Sequence, residues 1–152
     1  MRKQDFLFGL LLAVLMIAYF FTMKAANLYE NFNLRFVNVL FYLLVTWLAI
    51  RNFYKSNPDR KFNYLTGLLA GFRPALVGVF LFAVFQMINL SMDEHLMSTL
   101  EEMAPIEDTF TPFTASVYLF AEGVAVGLIT SYLSMRVVDA RQIDDEEYEE
   151  RL

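Results

Sequence analysis

Residues 113–135 read FTASVYLFAEGVAVGLITSYLSM, an apolar run with a single charge, Glu122. A segment of this length and composition reads as a membrane-spanning helix. An ionisable group at membrane depth marks a candidate functional site. Ser116, Gly123, Gly127 and Ser131 lie beside it, the last three spaced four apart and Ser116 two turns before them, which lets a second helix approach closely. On a helix this ladder flanks Glu122, while Tyr118, Ala125 and Tyr132 share its face. The ladder therefore reads either as packing within one bundle or as a contact with a partner subunit.

Three more runs repeat the pattern. Residues 6–23 carry no charge between Asp5 and Lys24. The run is long for a signal-peptide core, and Thr22-Met23-Lys24-Ala25-Ala26 lacks a small-x-small cleavage site, so it reads as the first span. Residues 34–50 form a second, short span, with Arg35 snorkelling upstream. Residues 62–92 are too long for a simple span and contain Arg73-Pro74. Proline suits the first turn of a helix. The sequence thus predicts a short interfacial helix over 62–72 and a third span over 74–92, with Arg73 and Pro74 anchoring it at headgroup level. A single tilted helix kinked at Pro74 is the alternative.

The whole chain of 152 residues agrees with this reading: 57% is hydrophobic, 16% aromatic, and the charges sit in the gaps between runs. Acids gather in 93–108 and 144–150, and bases in 51–61, giving a net charge of −5. No basic stripe suggests a nucleic-acid partner. The absence of cysteine removes disulfides, thiolate metal sites and thiol nucleophiles. Met92, Leu96, Leu100 and Met103 predict an amphipathic helix ending near Pro105. The expected organisation is a transmembrane domain over 1–138 and an acidic cytoplasmic tail over 139–152, unstructured over its acidic stretch 144–150. Both termini are expected in the cytoplasm, which places Arg2, Lys3, Arg51, Lys55, Arg60, Lys61, Arg136, Arg141 and Arg151 on the inner side and leaves Lys24 and Arg35 outside. The expected fold class is an all-α integral membrane protein with four transmembrane helices.

The arrangement resembles an uncharacterised group of four-helix membrane proteins of Bacteroidota, domain-of-unknown-function family four-one-nine-nine. The resemblance lies in the opening Phe6-Leu7-Phe8-Gly9, the Gly67 and Gly71 approach before Phe72, and Gly123-xxx-Gly127-Leu128-Ile129-Thr130-Ser131 ending in basic residues. It implies a bacterial inner-membrane location, but neither a reaction nor site residues.

Candidate chemistry centres on Glu122. At 1.5 Å per residue it lies about 21 Å from Arg136, and similar counts place Asn38, Gln86 and Tyr19 near its level. Such a polar layer could satisfy a protonated carboxyl, or hold water or an ion. Arg73 falls about 20 Å lower and is out of reach. His95 with Asp93, Glu94, Glu101, Glu102 and Glu107 lacks zinc-ligand spacing, so no metal or other cofactor is expected. No phosphate-binding loop or nucleophile elbow is present. The leading expectation is a non-enzymatic accessory or structural subunit whose partners are lipid, other membrane proteins or copies of itself. A small ion- or proton-coupled transporter using Glu122 is the alternative.

Overall fold

The computed structural model describes residues 3–26, 28, 36–57, 63–103 and 111–149, with side chains described as far as Ser98 and Val138 in the last two segments. Among the described residues five helices follow in order: α1 (Lys3–Ala25), α2 (Phe36–Lys55), α3 (Tyr64–Met92), α4 (Glu94–Met103) and α5 (Pro112–Glu149). Four of them, α1, α2, α3 and the Pro112–Val138 part of α5, are long and apolar enough to cross a membrane, with mean hydropathies of 2.4, 1.6, 2.1 and 1.5. The protein is thus an all-α, multi-pass integral membrane protein.

The helices begin and end where local chemistry directs. The Asn63 side chain accepts the Leu65 N–H at 3.1 Å and caps α3. Thr111 caps α5 by accepting the Thr114 N–H, while its own N–H donates to Thr114 Oγ1 at 2.7 Å. This is a reciprocal box that satisfies two donors a helix start leaves open. Pro112 takes the first helical position, which suits its missing N–H. Asp93 ends α3 and caps α4 by accepting the Leu96 N–H at 3.1 Å.

α3 is the helix on which the others pack; it touches α1, α2, α4 and α5. Of its most apolar window 44% is buried, against 22–28% for the other spans. It runs antiparallel to α5 in one continuous register. Gly67 faces Met135, Gly71 faces Ser131, Ala75 faces Gly127 and Val79 faces Gly123, four residues per step in opposite directions. Small groups alternate across this seam, so the two backbones approach closely. α1 runs parallel to α3. Gly9 meets Val77 and the Pro74 carbonyl, and Gly78 meets Leu12. At the far end Lys24 is bonded to Asp93 at 2.5 Å. The Lys24 ammonium, joined by the Leu96 N–H, holds the Asp93 carboxyl below the usual carboxylate range.

α2 lies parallel to α5, so successive spans alternate in direction. The start of α1 and the Arg136 region of α5 therefore lie at the same end of the bundle. At that end Arg51 stacks over Trp47 at 5.2 Å and Arg136 over Tyr132 at 6.0 Å. Arginine on an aromatic ring is typical of a headgroup boundary.

Two expectations are corrected. Residues 64–72 are not a separate interfacial helix but the first turns of α3, which continues through Pro74. Gly67, Ala70 and Gly71 are buried against Ile50, Tyr54, Ser131 and Met135. That packing holds the helix together across the proline, as neighbouring helices do in membranes. Arg73 remains exposed on the outer surface of α3. Secondly, the acidic segment expected to be unstructured extends α5 as helix to Glu149. No glycine or proline interrupts residues 128–149, and most of residues 140–149 are good helix formers. Arg35 lies outside the described residues, as do the side chains of Leu100 and Met103.

Candidate functional site

Glu122 does not point into the bundle. The face it shares with Tyr118, Ala125 and Tyr132 is turned outward, and all four residues are exposed. The flanking face carries Gly123 and Gly127 into α3, so orienting the glycine seam inward turns Glu122 toward the surface. Its side chain lies at the mouth of the groove between α2 and α5, ten residues from the start of the helix, or about 15 Å along it.

In that groove is a cavity of about 60 Å³ lined by Glu122 with Asn38 and Tyr42 of α2. Met16 of α1, Phe82 of α3 and Leu119 supply apolar wall. Tyr42 is 2% exposed, and its hydroxyl lies against Gly123, 2.6 Å from where a β-carbon would stand. The hydroxyl has no hydrogen-bond partner among the described residues; neither has the buried Oδ1 of Asn38. Buried polar groups without a partner are uncommon in folded proteins, because their lost hydration goes uncompensated.

Of the four polar residues placed at one height by residue counting, the structure brings Asn38 and Glu122 into one cavity. The other two lie elsewhere. Tyr19 packs edge-on against Phe41, with ring centroids 5.6 Å apart. Gln86 is buried on α3, its Oε1 without a hydrogen-bond partner among the described residues, and it is outside the cavity lining. Counting along helices gives height but not azimuth, which separates these residues. Tyr42 is absent from the residues that counting selects, although it follows Asn38 by four residues and so shares its face.

A second polar feature is likewise hidden from the sequence. Thr46, Thr130 and Ser134 form a buried hydroxyl seam between α2 and α5. Thr46 Oγ1 and Ser134 Oγ are 2.9 Å apart, and Thr46 also donates to the Tyr42 carbonyl at 2.7 Å. Ser116 donates to the Pro112 carbonyl at 2.7 Å, while Ser131 packs on Gly71. In an apolar run such residues read as small spacers, and the Thr46–Ser134 hydrogen bond between helices emerges only with the packing. His95 is exposed on α4, and no group of three or more His, Cys, Asp or Glu capable of holding a metal occurs among the described residues.

A family model described as "Protein of unknown function (DUF4199)" matches residues 7–139. No curated protein and no solved structure matches the chain.

Proposed function

The chain belongs to the DUF4199 family, whose description names no activity, and we propose that the protein is a non-enzymatic accessory subunit of a bacterial cytoplasmic membrane. It associates laterally, with other membrane proteins or with copies of itself, through the outward face of α5. The observation that carries this reading is the exposure of Glu122 at membrane depth. Acids facing hydrocarbon cost about 2.5–3.5 kcal/mol on insertion scales and are found mostly on protected surfaces. Ala121 and Ala125, exposed beside Glu122, would let a neighbouring helix approach closely. Tyr118 and Tyr132 flank them.

Placement of both ends of the bundle domain in the cytoplasm is supported by Arg51, Lys55 and Arg136, which gather at one end, while Lys24 lies at the other. The test is extraction in mild detergent followed by native mass spectrometry. The reading predicts species heavier than one 17.7 kDa chain; a monomer under every extraction condition contradicts it.

A second reading, movement of an ion or proton through Glu122, is favoured by the oxygen atoms of Asn38 and Tyr42 in the same cavity. Reconstituted vesicles containing a pH-sensitive dye distinguish it. A flux abolished by Glu122→Gln supports transport, and absence of flux in the wild type contradicts it.

A further inference from the structure

Three oxygen-bearing side chains converge on the α2–α5 cavity: the carboxyl of Glu122, the amide oxygen of Asn38 and the hydroxyl of Tyr42. Two of them are oxygens already removed from solvent and without a hydrogen-bond partner among the described residues. Desolvating such groups is costly unless something binds them. We propose that this cavity binds a sodium-sized monovalent metal cation through Glu122, Asn38 Oδ1 and the Tyr42 hydroxyl oxygen.

The chemistry of the donors selects the ligand. All are hard oxygen atoms, with no thiolate or imidazole among them, which suits alkali and alkaline-earth cations rather than zinc or copper. One carboxylate balances one positive charge. A divalent ion would leave an uncompensated charge against Met16, Phe82 and Leu119, which is costly. The cavity volume of about 60 Å³ leaves room for the ion and water to complete its coordination. Gly123 is needed for the geometry, because any side chain there would displace the Tyr42 hydroxyl from its position. The site shares Glu122 with both readings above but requires neither a partner subunit nor transport, and a sodium titration of the isolated chain tests it apart from either.

The test uses the full chain in lipid nanodiscs at pH 8, with sodium, potassium or choline chloride at constant ionic strength. The unfolding midpoint of the wild type rises saturably with sodium relative to choline. Glu122→Gln abolishes this sodium-specific increment. Tyr42→Phe keeps the ring and its packing, and raises the sodium concentration for half effect about tenfold, the loss expected for one modest ligand contact. No sodium-specific increment in the wild type overturns the proposal, including the case where the midpoint responds to pH alone. An increment of wild-type size in Tyr42→Phe or in Glu122→Gln also overturns it, because the ion would then act elsewhere. Should Glu122→Gln fail to fold, Tyr42→Phe decides the matter.

Discussion

Gly123 of α5 lies directly against Val79 of α3, so closely that a β-carbon on the glycine would overlap the valine side chain. One turn on, a β-carbon on Gly127 would stand 2.9 Å from Cβ of Ala75. The seam is therefore closed to larger residues on both sides, and it fixes the rotation of α5 about its axis.

Gly123→Leu and Gly127→Leu are predicted to destabilise the bundle by about 1–3 kcal/mol each, the usual cost of overpacking a well-filled contact. Leu in place of Ala125, on the outward face, costs much less in the isolated chain. Thermal unfolding in detergent checks this, and equal midpoints for the inward and outward substitutions would show that α5 is rotated differently.

The hydroxyl seam gives a second prediction. Thr46→Val and Ser134→Ala remove the two ends of the 2.9 Å contact. A double-mutant cycle is expected to return a coupling of about 0.6 kcal/mol, the average for hydrogen bonds between membrane helices. Additive single effects would mean that the two hydroxyls do not interact.

Lys24 and Asp93 tie the end of α1 to the junction of α3 and α4. The Asp93 carboxyl is held low chiefly by Lys24. A depressed folded-state pKa contributes stability that is complete above the unfolded-state value of about 3.9 and disappears as pH falls through the folded value. Asp93→Asn should therefore lower the unfolding midpoint at pH 7 and make it less dependent on pH below 4. Because both side chains are partly exposed, added salt shrinks the difference. Identical pH profiles for wild type and Asp93→Asn would rule out this contribution.

Orientation is tested by labelling, since the chain has no cysteine of its own. Ser56 and Ser98 are exposed at opposite ends of the bundle. In intact cells an impermeant thiol reagent should modify Ser98→Cys and spare Ser56→Cys until the membrane is opened. The reverse pattern would invert the assigned orientation.

The four spans are legible in the sequence, because apolar runs this long with so few charges suit a bilayer far better than water. The α3 boundary is not. Arg73-Pro74 reads as a helix start, and only the burial of Gly67 and Gly71 between α2 and α5 shows why the helix continues across it. The residues sharing a face with Glu122 are also legible, since Tyr118, Ala125 and Tyr132 follow from helical spacing alone. The direction of that face is hidden. Lipid is as apolar as the bundle interior, so the polar face of α5 does not by its polarity mark inside or outside, and contacts such as Gly123 with Val79 are needed to orient it. For the same reason the sequence matches Asn38 to Glu122 in height but does not separate Gln86 and Tyr19 from them.

The association surface is tested most directly by cross-linking in native membranes. Single cysteines replace Ala121 and Ala125 on the outward face of α5, with Leu65→Cys on the exposed surface of α3 as the control, each treated with a short thiol cross-linker. The account predicts adducts, to a second copy or to another membrane protein, at Ala121 and Ala125 in clear excess over Leu65. Equal yields at all three positions, or none at the α5 positions, would contradict it.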